Sequence, residues 1–182
     1  MSHGVVFNNN NGPVEIVQRS IVRRSSIIGK LIEILAMAEP PDYDLARYPA
    51  DISNKISFND LSSSGHLLND YIDNSLLMTE SIRQLNKDIV NGDTKLKRQM
   101  KIFYHDALFK YHICLSPFNI EELRKNSNLI VQNVIEDTQE LVRNSSDLQD
   151  GYYEEDIIFG VNVIVAYSII DCIVMENPND HN

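Results

Sequence analysis

The chain has 182 residues, 43% of them hydrophobic, and its 26 acidic against 16 basic side chains leave a net charge of -10 at pH 7. That length and apolar content suit one domain that buries its own core without disulfide or metal staples. So acidic a chain repels phosphate backbones, which argues against nucleic-acid binding as its main task and leaves direct contact with DNA or RNA weak or absent.

Met1 to Phe7 show no basic-then-apolar leader pattern, and four asparagines and Gly12 follow, so residues 1–12 read as a flexible arm of a cytoplasmic protein. Val14, Val17, Ile21, Ile28, Leu31, Leu35 and Ala38 recur at three- and four-residue steps until Pro40 and Pro41. This predicts a first helix from Pro13 or Val14 to about Ala38, with Arg19, Arg23 and Arg24 making its first half basic. Residues 40–59 have little helical period and carry Pro49 and three aspartates, which predicts an extended connection lying on the bundle. From His66 to Val90, Tyr71, Met78, Ile82, Leu85 and Ile89 share one face, so a second long helix is expected, with Gly92 as its left-handed stop. Asp93 or Thr94 then caps a third helix with the stripe Leu96, Met100, Phe103 and Ala107, ended by Pro117. Asn119, three residues before Glu122, is an Asn variant of the capping box and opens a fourth helix to about Arg143.

After Arg143 there are eight acidic residues and no Lys or Arg, so the negative excess is C-terminal. Within this acidic surround lies Glu154 to Glu176, a run of Ile, Val, Phe, Tyr and Met broken only by small or polar residues such as Gly160, Asn162 and Ser168. Asp156 and Asp171 leave too short an uninterrupted stretch for a membrane span, and the basic flank is missing. A strand of that length would far exceed the usual five or six residues, so the run is expected to be the central helix of a bundle, or a helix whose surplus apolar surface is a partner interface. On that helix Gly160, Ile164, Ser168 and Asp171 fall on one stripe, where small residues let a neighbour approach closely. Asp171 is expected to be nearly buried there and to need a donor, such as an Arg from the first helix or from a partner. The expected architecture is all-α: a single-domain bundle of about five helices over residues 13–176, with the apolar C-terminal helix in the core and residues 177–182 as a tail.

Chemistry-bearing constellations are few. Cys114 and Cys172 lie in apolar runs without CxxC or a companion His at ligand spacing, and are expected to be reduced core thiols, so no metal and no cofactor are predicted. Arg98, His105 and His112 are spaced by seven and project from one side of the third helix. An Arg, six residues and a His fall within the loose pattern of HEPN-type ribonucleases, which use the pair on the scissile phosphate; surface-facing side chains are the preferred explanation, because two residue types at a permissive gap recur in many helices and the residue after the Arg is only Gln99. Lys95, Lys97, Arg98 and Lys101 form a local basic face. His105 and Asp106 have no positioned Ser or Cys nucleophile for a triad. No catalytic residue is assigned.

Three stretches resemble the accessory or C-terminal modules of bacterial ABC-three-component defence systems, the group that includes Lamassu-like systems. They are the opening helix Arg19 to Ala38 running into Pro40, Pro41, Tyr43, Asp44, Leu45, Tyr48 and Pro49; the Lys55, Ile56, Ser57, Phe58, Asn59 signature; and Val163 to Tyr167 with Cys172 and the ending Glu176, Asn177, Pro178. The resemblance covers both ends of the chain and implies a small helical subunit that accompanies an SMC-like ATPase and an effector, often a nuclease. No effector domain accompanies the module here, so catalysis is expected in other chains and this one acts as an adaptor against phage or plasmid. Its candidate interface residues are Arg19, Arg23, Arg24, Phe58, Asn59, Asp171, and Tyr152 and Tyr153 at the mouth of the last helix. The alternatives are a HEPN-like ribonuclease using Arg98 and His105, and an acidic immunity protein that neutralises a basic toxin.

Overall fold

A computed structural model describes residues 23–38, 50–114, 116–148, 151–171 and 173–181. Among them are seven α-helices and no strand: α1 (Ile27–Met37), α2 (Ala50–Asn59), α3 (Gly65–Asp73), α4 (Ser75–Asp88), α5 (Gly92–Lys110), α6 (Ile120–Arg143) and α7 (Glu154–Ile170). Two short 3-10 turns, Ser62–Ser64 and Pro178–His181, complete the regular structure. The all-helical expectation matches; seven helices replace about five. The expected arm, the start of the first helix, Arg19 and the Pro40–Pro41 stop lie outside the described residues.

α7 is the axis of the fold. It contacts α1, α3, α4, α5 and α6, and Val161, Val163, Ile164, Val165, Ala166 and Ile169 along it are fully buried. A helix this apolar must be covered along most of its length, and each large side chain removed from water contributes roughly 1.5–3 kcal/mol. The other helices are amphipathic and turn one stripe inward: Leu96, Met100, Tyr104, Ala107 and Leu108 on α5, and Leu123, Ile130, Val131, Val134 and Val142 on α6. Among the described residues no helix is long and apolar enough to cross a membrane.

Local chemistry explains where the element boundaries differ from expectation. Residues 23–26 are not helical, because Ser26 adopts an extended conformation and its hydroxyl accepts from the Gly29 N–H at 2.8 Å, which is a helix N-cap. This lead-in is held by the loop after α6: the Arg24 carbonyl accepts from Ser146 N at 3.0 Å, and Ser26 N donates to Asp147. The expected extended connection 40–59 is helical in its second half, as α2.

The expected long helix from residue 66 to 90 is two helices. Asn74 and Ser75 turn their side chains onto backbone carbonyls, Asn74 Nδ2 to Asp70 O at 2.7 Å and Ser75 Oγ to Ile72 O at 3.0 Å, and the chain breaks there. The left-handed stop after α4 is Asn91, at φ 58°, and not Gly92. Gly92 begins α5, where a Cβ would come within 2.8 Å of Leu85 Cγ. The Asn119 cap is as expected, its side chain accepting from the N–H groups of Glu121 and Glu122.

At Gly160 α1 comes close against α7: a Cβ there would lie 2.8 Å from Ile32 Cγ1. The β-branched Ile32 is stiff and fully buried, so it cannot swing aside. Gly160→Val is therefore expected to lower stability by about 1–3 kcal/mol through overpacking, seen as a fall in the urea midpoint. Gly65→Ala, where a Cβ meets nothing within 4 Å, should change stability by less than about 1 kcal/mol, a small shift of the same midpoint.

Candidate interaction surface

The polar residues around the C-terminal end of α7 are engaged with one another. Asn59, the last residue of α2, is completely buried. Its amide makes a two-way clamp on Glu176, Nδ2 donating to the Glu176 carbonyl at 2.9 Å and Oδ1 accepting from the Glu176 N–H at 3.0 Å. The Tyr104 hydroxyl of α5 donates to the Glu176 carboxylate at 3.1 Å. Burial raises the Tyr104 phenol well above its ordinary value, and the Glu176 charge and hydrogen bond add to it.

Asp171 caps α7 and is paired with Lys97 of α5 at 2.6 Å. Its side chain is 41% exposed, so the expectation of a nearly buried carboxylate met by an Arg is corrected: the helix ends in time to leave it at the surface, and the donor is a lysine. Lys97 also reaches Asp93 at 2.8 Å and lies over the Tyr167 ring, 5.6 Å from its centre, while the Tyr167 hydroxyl donates to Asp93 at 2.9 Å. Burial alone would lower the Lys97 ammonium; the hydrogen bonds to Asp171, Asp93 and Tyr167 outweigh it and hold the group above its ordinary value. Tyr71 and Tyr167 are raised chiefly by burial.

The remaining interface candidates separate into different places. Arg23 and Arg24 are exposed in the lead-in to α1, and Arg23 lines a cleft with Arg143, Asp147 and Ile157. Phe58 is half-buried, with the Arg124 guanidinium 4.8 Å from its ring centre and Arg124 Nε donating to its carbonyl at 2.7 Å. Tyr152 is half-buried, whereas Tyr153 is 74% exposed. Arg98, His105 and His112 are all exposed. Cys114 is exposed in the loop after α5, which corrects its reading as a core thiol; Cys172 lies outside the described residues.

The first two turns of α7 carry exposed apolar surface, of which the sequence singled out Tyr153 but not Ile158 and Phe159. Ile158 and Phe159 are exposed large hydrophobics one turn after the exposed Glu154 and Glu155, and Tyr153 at the start of the helix is exposed too. Glu154 lies beside Ile158 and Glu155 beside Phe159, because residues four apart on a helix stack one above the other. The Asp156 carboxylate accepts from the Tyr153 N–H at 3.0 Å, capping the helix, and Arg143 at the end of α6 pairs with Glu154. The signal was faint: Glu154 and Glu155 stand one turn before Ile158 and Phe159, and a run apolar throughout conceals which side remains uncovered.

No family model, curated protein or solved structure matches the chain.

The raised phenols of Tyr71, Tyr104 and Tyr167 give stability an alkaline limit. Each is neutral in the fold, so its contribution is fully present below the ordinary phenol value of about 10 and is lost as pH rises beyond it, by about 1.4 kcal/mol per pH unit for each phenol kept neutral. Urea midpoints measured between pH 8 and 11.5 are expected to fall above pH 10. Tyr104→Phe should make that fall shallower, while lowering stability at neutral pH by about 1 kcal/mol through loss of the Glu176 hydrogen bond.

Proposed function

We propose that this chain is a non-catalytic adaptor of a multi-protein bacterial defence complex, bridging an SMC-like ATPase and an effector. The observation that carries this reading is the convergence of the segments that resemble such modules. α1 packs on α7 through the Ile32–Gly160 approach, and Asn59, which ends the Lys-Ile-aromatic-Asn signature, clamps Glu176, which begins the Glu-Asn-Pro ending. Residues 117 positions apart in the chain thus meet as one unit, which supports treating the likeness as that of a single structural module.

The surface suits the role. Tyr153, Ile158 and Phe159 can serve as anchors whose burial gives affinity, while Glu154 and Glu155 on the rim favour a basic partner. The exposed arginines Arg23 and Arg24 lie in the lead-in to α1, Arg23 in the cleft with Arg143 and Ile157, and favour acidic groups on a partner.

Co-expression of the tagged chain with the SMC-like ATPase and effector encoded in the same genome tests the reading. Both should co-purify with the wild-type chain, and Ile158→Arg with Phe159→Asp should lose at least one of them while the helical circular dichroism is unchanged. Recovery of the chain alone from such cells, or phosphodiester cleavage by the purified chain that Arg98→Ala or His105→Ala abolishes, would overturn it.

A further inference from the structure

α5 carries an uncovered stripe unrelated to the patch on α7. Its buried residues point one way, towards the core; on the opposite side Arg98, Ile102, His105 and Phe109 follow one another at steps of four, three and four, the spacing of a helix–helix seam. Ile102 is 46% exposed and Phe109 is 83% exposed, which is costly for two large apolar side chains unless something covers them. A mostly apolar groove of about 400 Å³, lined by His105, Leu108, Phe109, His112, Ile113 and Cys114, continues the stripe at its C-terminal end.

The charges along this stripe are polarised. Lys95, Arg98 and Lys101 are exposed on the N-terminal half. Beside the C-terminal half stand Asp106 of α5 and Glu136, Asp137 and Glu140 of α6, with Lys110 among them, bonded to Asn133. The Asp137 carboxyl is pushed up by burial, an effect that Lys110 opposes and that Asp106, Glu140 and Glu136 reinforce. The acidic side chains therefore crowd one another, and added positive charge would relieve them.

We propose that this stripe is the interface of a two-fold dimer, occupied by α5 of a second copy of the chain running antiparallel. Self-complementary charge selects both the occupant and the direction. A parallel copy would stack the basic half on itself, whereas an antiparallel copy sets each basic half against the other copy's acidic end, and a closed two-fold contact of this kind uses the same patch on both subunits. Reflected about Ile102, the register brings Ile102 against its own copy at the axis, Arg98 opposite Asp106, and Lys95 opposite Phe109, where an aliphatic stem covers the ring and the ammonium faces Glu136. The dimer is read from α5 and α6 alone and is independent of the adaptor role.

Sedimentation equilibrium and light scattering on the full chain test this. The wild type should show twice the 20.8 kDa chain mass at micromolar concentration. Arg98→Asp and Asp106→Arg, each setting like charges face to face, should separately raise the dissociation constant on the order of tenfold or more, and the two together in one chain should restore it. In a Cys114→Ser, Cys172→Ser background, Ile102→Cys should form a disulfide-linked dimer on mild oxidation, because the residue meets itself at the axis. A wild type that stays monomeric to high concentration, or a dimer indifferent to both charge reversals and uncrosslinked by Cys at position 102, would overturn the proposal.

Discussion

An α-helix with no polar side cannot rest on a surface, and α7 imposes that requirement on the rest of the molecule. Ordinary amphipathic helices need one neighbour; this one needs cover around nearly its whole circumference, which α1, α3, α4, α5 and α6 supply. The close approach at Gly160 is part of the same solution, because a helix surrounded on all sides has room for its neighbours only where a side chain is small. Ser168 shows how the few polar groups on α7 are accommodated: it is buried, and its hydroxyl donates to the Ile164 carbonyl one turn back at 2.8 Å.

Charge on α7 is confined to its two ends, and each end is handled differently. At the start, Glu154, Glu155 and Asp156 sit where the helix dipole favours them, and Asp156 caps the backbone. At the finish, Asp171 would be unfavourable against the dipole without a cation, and Lys97 provides one, with Asp93 and Tyr167 completing the set. The Asn59 clamp on Glu176 and the Tyr104 hydroxyl then hold the chain that follows against α2 and α5. These polar contacts close the C-terminal end of the bundle from within. Exposed apolar residues lie elsewhere, among them Ile158 and Phe159 at the start of α7 and Ile102 and Phe109 on the outer face of α5.

The sequence readily disclosed those helices whose apolar residues fall on one face and whose ends carry local signals. α6 was legible from the Asn119 cap to Arg143 because capping is a matter of three adjacent residues. The break at Asn74 was hidden: apolar spacing continues across it, and only the competition of Asn74 and Ser75 side chains for backbone carbonyls interrupts the helix. α2 was hidden for the opposite reason, since its polar sequence has little apolar period and its helix packs on α6 and the C-terminal turn.

By itself, then, the sequence determined that the chain is helical and that its last long segment lies inside, because hydropathy and period are properties of neighbouring residues. Tertiary structure alone decided which side chains meet across long separations: that Asn59 is an internal clamp, that Lys97 answers Asp171, and that Ile158, Phe159, Ile102 and Phe109 remain uncovered. Exposure depends on where the neighbouring helices stop, and that follows from the packing of the whole chain around α7, which no local pattern encodes.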